Sequence, residues 1–157
     1  MILKQFTNVN IKMFTFVNQI KAMDLEQLFS QYKEQTIEGR YITFDKIFPI
    51  LEKLNTNNQL EIIGRSVLDN PIYKFQIGTG KTKIFLWSQM HGNEGTTTKG
   101  LLDFLNFLNS SSALAKIFLE TFTFCTIPML NPDGAKLHTR ENANKVDLNR
   151  DSSALSQ

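Results

Sequence analysis

The sequence predicts an α/β fold in which a β-sheet is sandwiched between helices. Three observations carry this. Apolar residues recur at helical spacing up to Leu54, and the period changes to that of strands from Leu60. The run "KIFLWSQM", Lys83 to Met90, is continuously apolar in its middle and suits a central strand covered on both faces. An apolar helix face and a second run rich in aromatic and β-branched residues follow it, in the order of a strand–helix–strand crossover.

Taken in order, residues 24 to 34 read as a helix, with Leu25, Leu28 and Phe29 at helical spacing. A second helical pattern starts near Thr43, where Phe44, Ile47, Phe48, Leu51 and Leu54 share a face. Pro49 lies inside it, so this helix is expected to kink or to start late. Asn55-Thr56-Asn57-Asn58-Gln59 is a polar breaker. Residues 1–58 thus form an N-terminal helical segment packing on a domain that occupies residues 59–157.

Leu60 to Leu68 reads as a strand, Asp69-Asn70-Pro71 as a turn, and Ile72 to Ile77 as the returning strand. Gly78-Thr79-Gly80 is expected to make a hairpin turn into the apolar run. Its continuation "GTGKT" resembles the end of a phosphate-binding loop. That motif needs a glycine where Phe75 stands and a helix after the lysine, where a strand follows. Leu101, Phe104, Leu105 and Leu108 make one helix face. Leu119 to Ile127 is a further strand, closed by Pro128, and the chain from Asn131 to Gln157 is polar and irregular.

The 157 residues suffice for one domain with a real core, and 41% hydrophobic with 20% charged residues is ordinary for a globular protein. A formal net charge of +2 gives no reason to expect nucleic acid or a membrane as partner. Cys125, the one cysteine, excludes an intrachain disulfide and is expected to be a buried, inert thiol. No run approaches the ~18 apolar residues of a membrane span. In residues 1–22 a leader-like apolar stretch is broken by Asn8, Asn10, Lys12, Asn18 and Lys21, so a cytoplasmic location is expected, with Met23 as an alternative start.

Chemistry concentrates in two stretches. In "HGNEG", His91 and Glu94 follow directly on the apolar strand, at the strand end where α/β sheets usually bind ligands. Gly92 and Gly95 permit the backbone curvature that would let an imidazole and a carboxylate converge on one cation. A catalytic zinc takes three protein ligands and keeps a position open for water, and this pair supplies two. In "NPDGAKLHTRENANKVDLNRD", Asn131 to Gly134 form a turn. Beyond it Arg140, Asn142 and the Asn149-Arg150 pair offer forked donors suited to a carboxylate and a developing oxyanion.

Together these stretches resemble the zinc carboxypeptidases of the M14 family. "HGNEG", "NPDG" at the end of the next strand, the R-x-N of Arg140 to Asn142, and "VDLNR" from Val146 to Arg150 match in order and spacing, over about residues 60 to 151. The resemblance implies a mixed, mostly parallel twisted sheet with helices on both faces, of which residues 59–157 are the N-terminal part. It implies Zn2+ as cofactor, with His91 and Glu94 as the first two ligands. The His₂Glu set of carboxypeptidase A is the standard example of such a site. Arg140 would polarise the scissile carbonyl and hold the oxyanion. Asn149 and Arg150 would grip the free C-terminal carboxylate of a peptide substrate, which makes the cut an exopeptidase cut.

The family also needs a second histidine ligand, a general-base glutamate and usually a tyrosine, all well downstream of the arginine pair. The chain ends seven residues after Arg150, and its other histidine, His138, does not match the ligand position. Nor do the acids Glu141, Asp147 and Asp151 match the base. The chain is therefore expected to be an incomplete and inactive part of an enzyme, with apolar sheet surface and an unpaired edge exposed. Two other readings compete. One is an amidohydrolase of the aspartoacylase and succinylglutamate desuccinylase kind, against which "NPDG" with R-x-N argues. The other is a non-catalytic fragment that binds peptide termini or zinc.

Overall fold

The computed structural model describes residues 24–57 and 59–151. The leader-like stretch, the alternative start at Met23 and the terminal residues 152–157 lie outside the described residues. The chain divides into two compact units with the boundary after Tyr32. Of the first unit, helix α1 (Leu25–Tyr32) is described. Its first turn is capped by Asp24, whose Oδ1 accepts from the backbone N–H groups of Glu26 and Gln27.

The second unit holds the remaining elements. Helix α2 (Phe44–Leu54) runs unbroken through Pro49 and starts at Phe44, not late as Pro49 led one to expect. Burial explains the tolerance: Ile47, Ile50, Leu51 and Leu54 are all buried on one side, while Pro49 is exposed. Strands β1 (Leu60–Arg65) and β2 (Pro71–Ile77) form the expected antiparallel hairpin, with a bulge between Ile62 and Gly64. Asp69, at φ +62°, takes the left-handed conformation in its turn. Strand β3 (Thr82–Trp87) leads through helices α3 (Thr96–Leu108) and α4 (Ala113–Thr121) to strand β4 (Phe122–Ile127). Helix α4 was not legible in the sequence, where Leu119 reads as the start of the strand. Ser112 caps it, its hydroxyl accepting from Ala115 N at 3.0 Å.

The sheet is mixed, as expected, with order β1-β2-β4-β3. β3 and β4 run parallel, while β1–β2 and β2–β4 are antiparallel, so the parallel share is smaller than expected among the described strands. The hairpin expected at Gly78-Thr79-Gly80 is absent, because β4 lies between β2 and β3. The loop instead steps across the entry to β4. A Cβ at Gly78 would sit 2.2 Å from the Phe122 carbonyl oxygen, and one at Gly80 2.0 Å from the Thr121 carbonyl carbon. Glycines therefore let two backbones pass in contact where a side chain would block them.

The register places Phe75, Ile77, Ile84, Leu86 and Phe124 on one face of the sheet. This face meets the buried residues of α2 and α3 in one core, centred on Leu51, Leu102, Leu105 and Leu108. Phe118 of α4 and Phe104 of α3 close it with ring contacts to Phe124 at 6.4 and 5.2 Å. Helices on both faces were expected. Among the described residues of this unit, the helices of the core cover one face only. β3 is accordingly not the central, doubly covered strand that its apolar run suggested. It is an edge strand, with Phe85 57% and Trp87 49% exposed. Cys125 projects to the same uncovered side, half-buried instead of buried, its Sγ 3.4 Å from Gln76 Oε1. The exposed apolar surface and open edge that the sequence led one to expect are thus present.

Candidate metal centre

The parallel pair β3–β4 brings its two C-terminal ends together, and the pairing continues past both strands. Ser88 N donates to the Ile127 carbonyl, Leu130 N to that of Ser88, and Asn131 N to that of Gln89. The loop carrying His91 and the loop carrying Asn131-Pro132-Asp133-Gly134 therefore leave the sheet side by side. They then touch backbone to backbone: a Cβ on Gly92 would lie 1.9 Å from the Gly134 carbonyl carbon. Residues 131–134, expected as a turn, start the short helix α5 (Pro132–Leu137). Asn131 is its N-cap, accepting from Gly134 N at 2.9 Å, and Pro132 takes the first helical position.

Two buried amides hold the loops in place. Asn131 Nδ2 donates to the Met90 carbonyl at 3.2 Å. Gln89, at φ +49° and 2% exposed, donates through Nε2 to the carbonyls of Ile42 and Gly92, and its Oε1 accepts from the Thr98 hydroxyl. One side chain thereby ties the segment before α2, the His91 loop and the start of α3 together. Sequence reasoning missed it, since a glutamine after an apolar run carries no signal of its own.

Within this frame His91 is buried and Glu94 exposed. The imidazole stands between two carboxylates: Nδ1 lies 3.1 Å from Glu94 Oε2, and Nε2 lies 3.1 Å from Asp147 Oδ1. Arg140 closes the ring, donating through Nε to Asp147 at 2.9 Å and through Nη1 to Glu94 at 3.3 Å. The hydrogen bond from Arg140, with those from Asn149 N and His91, holds the Asp147 carboxyl down to about 2 against its modest desolvation. Asp147 is the member of the site that sequence reasoning passed over. It appeared there as an acid that did not match a general base; its place inside "VDLNR" was the available signal.

The expected residues take distinct positions. His91, Glu94 and Arg140 meet directly. Asn149 and Arg150 lie on the short helix α6 (Leu148–Asp151) and join the group through the backbone. Asn149 N donates to Asp147 Oδ1, and Arg150 N to the Asp147 carbonyl. Asn142 organises the loop before them, its Oδ1 accepting from the N–H groups of Asn144 and Val146. His138 ends α5 in the left-handed conformation and stacks on Tyr41 at 4.1 Å, exposed, as a loop histidine would be.

The His91–Glu94 pair fits a cation. A neutral imidazole that donates its Nε2 proton to Asp147 turns the Nδ1 lone pair toward Glu94 Oε2. An imidazole nitrogen and a carboxylate oxygen 3.1 Å apart are both donor types that zinc takes, at bond lengths of about 2.0–2.2 Å. Asp147 behind the ring is the usual partner of a metal-binding histidine. Among the described residues no group of three His, Cys, Asp or Glu side chains is placed to hold a metal ion, so the pair provides two donors.

Comparison with known proteins places the chain among carboxypeptidases. A family model described as zinc carboxypeptidase, peptidase M14, matches residues 50–155. Carboxypeptidase SOL1 of Arabidopsis thaliana is 33% identical over 103 residues, covering 60% of this chain and 21% of the relative. Cytosolic carboxypeptidase 2 of Xenopus tropicalis is 32% identical over 59% of this chain and 10% of its own length. Among solved structures, a metallo-carboxypeptidase from Burkholderia cenocepacia superposes with a TM-score of 0.64 at 22% identity, over 73% of this chain and 34% of that one. The chain therefore spans about a fifth or less of these curated relatives. By its matching family model and by a fold shared with solved metallocarboxypeptidases, the chain belongs to the M14 zinc carboxypeptidase family.

Proposed function

We propose that the described residues form part of the active centre of a zinc metallocarboxypeptidase that removes C-terminal residues from peptides. His91 and Glu94 hold Zn2+ as two of its ligands, and further donors complete the site. Bound there, zinc supplies an acidified water and polarises the scissile carbonyl. Three further roles fall to side chains of this chain. Asp147 fixes the tautomer and orientation of His91. Arg140 commits Nε and Nη1 to carboxylates, which leaves its Nη2 hydrogens for the carbonyl oxygen as negative charge develops on it. Asn149 and Arg150 receive the terminal carboxylate of the substrate and fix which bond lies at the metal.

The observation that carries this reading is the convergence of His91 Nδ1 and Glu94 Oε2 at 3.1 Å, with the opposite ring nitrogen backed by a carboxylate. The test is titration of the full chain with zinc, beside His91→Ala and Glu94→Gln. Both variants should lose most of the affinity while keeping the wild-type circular dichroism. Undiminished zinc binding in the two variants would remove the basis for the proposal.

A further inference from the structure

A cavity of about 390 Å³ opens beside Glu94. Arg40, Asn93, Thr96, Thr97 and Lys99 line it together with Glu94. Its charge is one-sided. Both oxygens of Glu94, the carboxylate in its wall, are turned to His91 and Arg140. The two cations are held from outside the cavity. Lys99 Nζ donates to the Gly39 carbonyl at 2.5 Å, and the Arg40 guanidinium lies 5.9 Å from the Tyr41 ring centroid. The segment that carries Arg40 is fixed in turn, since Gln89 holds the Ile42 carbonyl and Ile42 packs on Gly95. At the same place α3 begins without a side-chain cap, and Thr96 and Thr97 of its first turn line the cavity.

We propose that this cavity is a substrate subsite for an acidic side chain, read by Arg40 and Lys99, on the amino side of the bond that is cut. The inference rests on the carboxypeptidase reading given above. Its direction follows from the imidazole. Glu94 lies at Nδ1 of His91, while Asp147, which carries the Asn149-Arg150 segment, lies at Nε2. A peptide whose terminal carboxylate is gripped on the Asp147 side passes the metal ligands and reaches the cavity with residues that precede the scissile bond. A glutamate there meets two cations, while a glutamine of the same size forfeits the ion pairs.

The test uses the full chain with zinc and two peptides alike except for glutamate or glutamine at the two positions before the terminal residue. Each is made with a free and with an amidated terminus, and binding is read by calorimetry. The glutamate peptide should bind about fivefold more tightly, the scale of an exposed ion pair. Arg40→Gln together with Lys99→Gln should abolish that preference. Equal affinities in the wild type, a preference that survives in the double variant, or no binding of either peptide would each overturn the subsite. The amidated pair keeps the two readings apart. A loss on amidation with no glutamate preference overturns the subsite and retains the clamp. A glutamate preference with no effect of amidation retains the subsite and overturns the clamp.

Discussion

Nε2 of His91 stands 3.1 Å from Oδ1 of Asp147, a residue 56 positions later in the chain. A neutral imidazole can bind a metal through one nitrogen only if the other keeps its proton, and Asp147 takes that proton's hydrogen bond. Asp147→Asn should therefore lower zinc affinity by about 10- to 100-fold, the usual effect of losing such a partner. Competition against a chelator of known affinity measures this, and circular dichroism verifies the fold. Unchanged affinity would assign Asp147 to holding Arg140 alone.

The loops that carry this site depend on two glycines in backbone contact. Gly92→Ala would place a methyl group 1.9 Å from the Gly134 carbonyl carbon, an overlap that no rotamer relieves. It should destabilise the chain by about 2 kcal/mol or more. It should also weaken zinc binding, because the His91 loop must lift away. Gly100→Ala is the matched control. It lies within α3 with open space around it and should stabilise by about 1 kcal/mol. Denaturant unfolding of both variants decides. Equal effects of the two would mean that the loop contact is not tight.

Much of this site was legible in the sequence, and the fold less so. His91, Glu94, Arg140 and Asn149-Arg150 were picked out by their resemblance to a family pattern, and the structure brings the side chains of the first three together. Strand neighbours carry no such pattern. "KIFLWSQM" reads as a central strand because Ile84 and Leu86 face the core while Phe85 and Trp87 are equally apolar. Alternation would have marked a half-exposed strand, and here it is absent. The Gly78–Gly80 loop had the composition of a hairpin turn. Whether it closes a hairpin or passes over β4 is decided by a strand that begins at Phe122, more than forty residues later. Gln89 was invisible as a site member for a related reason: it acts on the Ile42 carbonyl, 47 residues earlier, and no local pattern records that.

The uncovered face has a measurable consequence. Phe85 and Trp87 lie 5.6 Å apart between ring centroids on a strand that is, among the described strands, at the edge of the sheet. The purified chain should self-associate with rising concentration, and Phe85→Lys with Trp87→Lys should suppress this without loss of helical signal. Sedimentation velocity at several concentrations is the measurement. Association that is undiminished in the double variant would place the sticky surface elsewhere.

Asp133 gives the fold a defined response to acid. Its carboxylate is buried and pins the β1–β2 turn. It accepts from the Ser66 hydroxyl at 2.6 Å, Asn70 Nδ2 at 2.7 Å and Leu68 N at 3.1 Å. Burial pushes its pKa up, but the hydrogen bonds from Ser66, Asn70, Leu68 and Val67 together outweigh it, and the group titrates below the ordinary aspartate range. A carboxyl depressed in the folded state binds its proton more readily in the unfolded chain. Its contribution is therefore fully present above the unfolded value, near ~3.9, and is lost as pH falls through the folded value. Asp133→Asn keeps the volume and removes the charge, and should cost about 2 kcal/mol at neutral pH. The gap between wild type and variant should then narrow as pH is lowered below about 4, since protonation does to the wild type what the substitution did. Urea unfolding of both proteins at a series of pH values tests this. A gap that stays constant into acid would mean that the turn is held by shape and neutral hydrogen bonds, with no contribution from the carboxylate charge.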